Sequence, residues 1–424
     1  MLIENRNTLR GEITVPGDKS ISHRAVVTGA LARGTTEIDN FLLGEDCIST
    51  IECFRKMQVG IEILQDNKVR IQGRGLYGLK PPAAVLNAGR SGTAIRLLLG
   101  VLIGQPFNSN VIRNEAAMKK PVGKVVSCLK QMGANISGRE DGNLCPLVIS
   151  PSSLKGTIFE LSELETHIKS PLLFAGLYAE GATVVREAVR SRDHTELMLN
   201  YFGADIKTEG LEVISHAVEN LYARHVSIPG DISMASYFIT AALLVPKSDI
   251  VIKNVGVNPT RTGIIDVYRS MGADIEFINL RTESNEPVAD IHVVTSPLKG
   301  IKIDPQLIPT LIDELPVIIV AASLAKGTTE ITGLSGFKVM ESGKMREISF
   351  ELSKMGAKIT ETGNGIVIEG REILRGTVVE SNNNHALAMA LSIAGLAADG
   401  ETMIRKTQAV DIVYPGFFET LNKL

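Results

Sequence analysis

A chain of 424 residues, 44% hydrophobic and 21% charged, fits a large soluble enzyme of two or three domains with sizeable cores. A net charge of −3 with no Lys/Arg cluster argues against nucleic acid as a partner. The polar start MLIENRNTLRG is unlike a signal peptide, and apolar runs such as LPVIIVAASLA are too short to span a bilayer. Cys47, Cys53, Cys128 and Cys145 have neither metal nor CxxC spacing, so we expect reduced thiols, a cytoplasmic protein and no metal.

In chain order, Val15-Pro16-Gly17-Asp18 punctuates the passage from a strand-like stretch to a helix opened by Lys19-Ser20. The helix ends in ALARGTTEI, where Gly34 is the first of six similar turns. LLLGVLIGQPFNSNVI, AGLYAEGATVV, AALLVPKSDIVI, AASLAKGTTEI and AGLAADGETMI follow. Their turn positions Gly34, Gly104, Gly181, Lys247, Gly327 and Gly400 stand 70, 77, 66, 80 and 73 residues apart. A unit of that length exceeds the usual solenoid repeat of about 20 to 50 residues and has room for two helices and several strands. A second echo, KMQVGIEI, QMGANISG, YFGADIKT, SMGADIEF and KMGAKITE, runs in phase at Met57, Met132, Phe202, Met271 and Met355.

Ile228-Pro229-Gly230-Asp231 nearly repeats the first punctuation. Two crossings at these points predict one domain of residues 17–229 and a discontinuous one of 1–16 plus 230–424, with three repeats in each. Further helices are expected to open at Arg90-Ser91-Gly92-Thr93, at Ser233 and at Asn382-Asn383-Asn384. Residues of these types cap helix starts, and helix starts also bind anions. Lys19 precedes the first helix, and Ser20 and Arg24 share one of its faces at i and i+4. Gly73-Arg74-Gly75-Leu76-Tyr77-Gly78 matches G-x-G-x-x-G but runs into Lys80-Pro81-Pro82, so no dinucleotide site is expected.

The strings PGDKSISHRAVVTGALARGTT, SRDHTELML, PGDIS, KNVGVNPTRTGIIDV, LIDELPV and YPGFFETL resemble the EPSP synthase family over essentially the whole chain. The resemblance implies a two-domain inside-out α/β barrel, each domain three βαβαββ units, with the active site in the cleft between the domains. It also implies transfer of the enolpyruvyl group of phosphoenolpyruvate to a hydroxyl of shikimate 3-phosphate or a related cyclohexene acid. The partners would be small anionic substrates; no cofactor is implied, phosphoenolpyruvate being a co-substrate, and the protein would be a monomer. The cell-wall relative that transfers to UDP-N-acetylglucosamine carries a reactive cysteine loop, and no cysteine lies between Arg113 and Pro121.

By the same resemblance Lys19 touches both substrates, Ser20 and Arg24 hold the acceptor carboxylate, and Ser191 helps to bind the acceptor. Asp313 is base or orienter, and Glu341 is the proton shuttle, the paired acid and base that addition and elimination require. Gly92, Thr93, Lys120, Thr166, His167, Lys344 and His385 fall at further substrate-contact positions. Several departures stand out. Lys120 and Lys344 replace arginines, Ala386 replaces another, and Ile412 or Val413 replaces a lysine or serine. Glu165-Thr166-His167 stands for a Ser-Ser-Gln or Ser-Ala-Gln run, and Arg90 for an asparagine. A forked guanidinium holds an oxyanion by two bonds, which a lysine cannot reproduce. Glu165 would oppose a phosphate unless protonated or turned away, whereas Arg90, Arg113 and Lys119 could compensate from new directions. A repurposed paralogue acting on another cyclitol or shikimate-like acid is therefore the alternative, and a non-catalytic binding protein on the same scaffold the third reading.

Overall fold

The computed structural model describes residues 1–335, 337 and 343–424, with the backbone alone for Ala116 and Lys344. The chain divides into two compact units: Met1–Pro16 with Pro229–Thr282 and Pro287–Leu424, and Gly17–Ile228 with Glu283–Glu286. Two details differ from the expected boundaries. Pro229 belongs to the first unit, because its ring packs on Gly256 and the next residue, Gly230, donates to Asn254 O at 2.7 Å. Residues 283–286 group with the second unit, where Ser227 bonds Ser284 and Glu283, and His194 bonds Glu286.

Five of the six repeats share one wiring among the described residues. In the second unit, strand Leu86–Asn87 pairs in parallel with Ser109–Ile112, which pairs antiparallel with Leu144–Ser150, which pairs antiparallel with Asn135–Arg139. Strands Ile158–Leu161, Thr183–Glu187, Glu212–His216 and Asp205–Glu209 repeat that order. A parallel pair needs a crossover helix and an antiparallel pair needs only a turn, so these repeats read βαβαββ. In the first unit the N-terminal strand Arg10–Thr14 supplies the parallel partner of Asp249–Gly256. The sixth repeat lacks the second echo, and there Leu2–Ile3 takes the antiparallel place beside Thr402–Met403.

Helices fill the interior and the sheets surround them. Ile232–Leu244, Leu315–Leu324 and His385–Leu396 pack against one another within the core of the first unit. Gly92–Leu102 packs on both Lys19–Leu31 and Lys169–Gly176 in the second. These helices are apolar nearly all round, the composition of a helix with no solvent face, while strands such as Ile158–Leu161 alternate exposed and buried. At Gly100 a Cβ would stand 2.5 Å from the backbone oxygen of Pro171, so the two helices meet backbone to backbone.

Both sequence echoes have a mechanical reading. Met57, Met132, Phe202, Met271 and Met355 are each the C-cap of a helix, buried, and followed by Gln58, Gly133, Gly203, Gly272 or Gly356 at positive φ. This is the left-handed C′ residue that stops a helix. Of the turn series, Gly34, Gly181, Gly327 and Gly400 have positive φ and Lys247 adopts it without glycine. Gly34 lies within strand Ala32–Asp39. Gly104 has no positive φ, but a Cβ there would meet the Tyr178 ring at 2.3 Å.

Candidate active site

The two Pro-Gly-Asp segments do more than punctuate. Asp18 caps Ile21 N at 2.8 Å and Asp231 caps Ser233 N at 2.9 Å, so aspartate closes each helix start. Ser20 and Ser233, which the sequence offers as capping residues, are thereby released for other contacts. Ser91 caps Ala94 N at 3.1 Å, and Asn384 caps Ala386 N at 3.1 Å and Leu387 N at 3.4 Å.

In the second unit, Lys19 pairs with Asp46 of helix Glu45–Lys56, and Arg24 is buried one turn further on. Arg24 donates from Nε to Thr195 Oγ1 at 2.6 Å, from Nη1 to Ser20 O at 2.9 Å and from Nη2 to Ser170 Oγ at 2.7 Å. All three partners are neutral. Burial lowers its pKa to about 10, with Glu196 opposing the shift. A guanidinium carries five N–H groups, so one on each Nη is left without a bond among the described residues.

A buried charge cluster adjoins Arg24, and Glu196 is the carboxylate that acts on it most. Lys169 Nζ stands 3.0 Å from Glu187 Oε2 and 2.7 Å from Glu196 Oε1, all three side chains at most 4% exposed. Burial and Lys169 pull Glu196 in opposite directions, and burial wins, raising its pKa. Ser191 donates to Glu187, and His194 Nδ1 lies 2.7 Å from Glu286. Since Ser170 follows Lys169 and Thr195 precedes Glu196, the hydroxyls that orient Arg24 are held by the backbone of this cluster. His23 contributes from the first helix. It is buried between Thr50 (2.8 Å) and Ser91 (3.2 Å), and burial, then Lys19, drives its pKa down to about 3, so the ring is neutral.

The remaining expected contacts of this unit lie on other segments. Gly92 and Thr93 form the half-buried first turn of helix Gly92–Leu102. Lys120 is exposed, Thr166 half-buried and His167 exposed. Glu165 is turned away into a capping box, accepting from Ser162 N at 3.1 Å and from Ser162 Oγ at 2.7 Å, and it pairs with Lys124 at 2.6 Å. Lys124, then Ser162, draws its pKa down to about 2. The carboxylate that threatened a phosphate thus faces its own partners.

In the first unit Asp313 is exposed and stands 3.7 Å from Arg261 Nη1, while its neighbour Glu314 is fully buried. Arg261, only 4% exposed, also reaches Ser233 Oγ at 2.7 Å and Asp231 at 3.3 Å, and Ser233 donates to Glu314. His385 is the half-buried first residue of its helix, and the backbone of Lys344 opens helix Lys344–Lys354. Glu341 and Met340 lie outside the described residues. Among the described residues no cluster of His, Cys, Asp or Glu has the make-up of a metal site, and no helix is long and apolar enough to cross a membrane.

The family model of EPSP synthase (3-phosphoshikimate 1-carboxyvinyltransferase) matches residues 3–421. The chain belongs to the EPSP synthase family. It is 50% identical over 422 residues to the 3-phosphoshikimate 1-carboxyvinyltransferase of Thermoanaerobacter sp. (strain X514), covering 100% of this chain and 99% of that one. It is 48% identical over 423 residues to the enzyme of that name from Geobacillus kaustophilus, covering 99% of each. An EPSP synthase structure from Acinetobacter baumannii superposes with a TM-score of 0.92 at 39% identity, over 100% of this chain and 97% of that one. The fold is accordingly the inside-out α/β barrel pair of the EPSP synthase family, a family of carboxyvinyltransferases.

Sequence reading missed, in each unit taken by itself, the buried ions beside the expected contacts of this EPSP synthase family member. Arg261, Glu314, Lys169, Glu187 and Glu196 are buried ions whose partners come from distant segments. The one signal was local: SRDHTELML and KNVGVNPTRTGIIDV each place charges inside otherwise buried runs.

Proposed function

We propose that this chain transfers the enolpyruvyl group of phosphoenolpyruvate to a hydroxyl of shikimate 3-phosphate or a closely related cyclohexene acid. The acceptor oxygen bonds to C2 as a proton adds to C3; a methyl proton and inorganic phosphate then leave, restoring the double bond. In this reading Lys19, Ser20, Arg24 and Ser191 hold the acceptor. Asp313 orients or deprotonates its hydroxyl and Glu341 moves the proton at C3. Gly92, Thr93, Lys120, Thr166, His167, Lys344 and His385 line the remaining substrate contacts. The protein works as a cytoplasmic monomer without a cofactor.

One observation carries the reading: full-length family membership together with a buried Arg24 fork whose three neutral partners leave two donors for an oxyanion. Purified protein given phosphoenolpyruvate and shikimate 3-phosphate should release phosphate and form the enol ether. Tight acceptor binding without phosphate release would overturn it. That outcome is the signature of the second reading, a paralogue acting on another shikimate-like acid, which the apolar residues Ala386 and exposed Ile412 favour.

A further inference from the structure

The three core helices of the first unit, Ile232–Leu244, Leu315–Leu324 and His385–Leu396, begin beside Ser233, Glu314 and His385 and end together at a cleft of about 430 Å³. At about 1.5 Å per residue, helices of 10 to 13 residues set the cleft roughly 15–20 Å from those first turns. Each helix end is tied to a neighbouring segment: Ser296 N donates to Leu243 O at 3.3 Å, Arg371 N to Ser323 O at 2.8 Å and Arg6 N to Leu396 O at 3.0 Å. The floor of the cleft is apolar, with Leu244, Leu324 and Leu396 at the three ends. Its rim carries both signs of charge, Arg6 and Lys326 against Glu372 and Asp399. Lys326, Glu372 and Asp399 are exposed, and none of the three makes an ion pair among the described residues.

The second unit fills the corresponding place with its own side chains. Its string AGLYAEG at 175–181 matches AGLAADG at 394–400, so Tyr178 stands where the first unit has Ala397, a residue of the cleft. The Tyr178 ring lies against Gly104, where a Cβ would come within 2.3 Å of it, and meets the Tyr77 ring edge-on with centroids 5.5 Å apart. Gln105 donates from Nε2 to Tyr178 Oη at 3.2 Å and to Leu76 O at 3.0 Å. The first unit instead offers leucines, Ala397 and an Ile373 that is 53% exposed. An apolar cleft of this size with a few convergent polar groups has the make-up of a small-molecule site. Unpaired ions of both signs at its rim suit a zwitterion, whose carboxylate and ammonium each gain from an opposite charge. We propose that this cleft binds a free aromatic α-amino acid. Its ring lies on the leucine floor, as Tyr178 does in the second unit, with its carboxylate toward Arg6 and Lys326 and its ammonium toward Glu372 and Asp399. The site is independent of the transfer reaction proposed above.

Thermal unfolding and titration calorimetry of the full chain with L-phenylalanine test the site. The amino acid should raise the wild-type midpoint in a saturable way, as a ligand of the native state does. Ala397→Tyr should raise the ligand-free midpoint by filling the cleft, and should abolish the shift. Lys326→Gln and Asp399→Asn change exposed side chains that leave folding intact, and each should weaken binding by about tenfold, the worth of one charge-assisted bond. 3-Phenylpropionate, which lacks the ammonium, and 2-phenylethylamine, which lacks the carboxylate, should bind about tenfold more weakly than L-phenylalanine for the same reason. Lys326→Gln should then cost 2-phenylethylamine nothing. No shift at millimolar L-phenylalanine would overturn the site, as would equal shifts in wild type, Ala397→Tyr and Lys326→Gln. L-Leucine binding as tightly as L-phenylalanine would overturn the aromatic assignment, and 3-phenylpropionate binding as tightly would overturn the zwitterionic one.

Discussion

Ser191 donates its hydroxyl proton to one oxygen of Glu187 while Lys169 holds the other at 3.0 Å. The serine is thereby fixed by the same buried cluster whose backbone carries the hydroxyls around Arg24. Lys169 is the cation that both buried carboxylates face, at 3.0 Å from Glu187 and 2.7 Å from Glu196. Replacing Lys169 by Met should cost about 3–5 kcal/mol in urea denaturation at pH 7, the usual penalty for stripping one member of a buried ion pair. The deficit should narrow as the pH is lowered, because Glu196, whose pKa is already raised by burial, then takes up a proton. A deficit independent of pH would show that the carboxylates had found other partners.

Arg24→Ala should weaken binding of shikimate 3-phosphate by about tenfold or more, the worth of one charge-assisted bond. Arg24→Lys should not restore it, since a lysine has no fork to place between Thr195 and Ser170. Titration calorimetry with the acceptor alone measures both, and unchanged affinity would remove Arg24 from the acceptor site.

His23 sets part of the pH dependence of stability. Its folded pKa is about 3 against 6.5 for the free side chain, so below pH 6.5 the unfolded chain binds a proton that the folded chain refuses. Stability present above pH 6.5 is therefore lost as the pH falls toward 3, at up to about 1.4 kcal/mol per pH unit. His23→Gln should flatten the melting temperature profile across that window. A profile as steep as that of wild type would place the proton uptake elsewhere.

Phosphoenolpyruvate affinity should rise when Lys120, Lys344 and Ala386 are all changed to Arg. Single changes should gain less, because a clamp around one anion acts as a unit. Kd from calorimetry, set beside KM from phosphate release, decides it. Normal turnover with tight phosphoenolpyruvate binding in the unchanged protein would show that Arg90 or another cation has taken over the phosphate.

The scaffold was legible because its signals are local. A C-cap such as Met271 and the glycine after it are adjacent in sequence, and the apolar run of Leu315–Leu324 announces a buried helix without reference to any other segment. Much of the site was not. Asp18 and Asp231 proved to be the caps in place of Ser20 and Ser233, a shift of two residues that cap preferences alone do not fix. Arg261 and Lys169 are charged residues whose burial depends on carboxylates from other elements, and Arg24 meets hydroxyls about 150 to 170 residues away. Periodicity says which face is buried; it does not say which charges will meet there.

The pairing of strand Arg10–Thr14 with Asp249–Gly256 fixes an order of events as the chain emerges from the ribosome. The first strand is made early and has no partner until the whole of Gly17–Ile228 has been synthesised. The second unit contains all strands of its three sheets within that span, so it is free to close while the N-terminal strand still waits. A stalled or truncated chain ending near residue 228 should therefore carry one folded globule and a short unpaired tail, and the first unit should be the later and slower of the two to form.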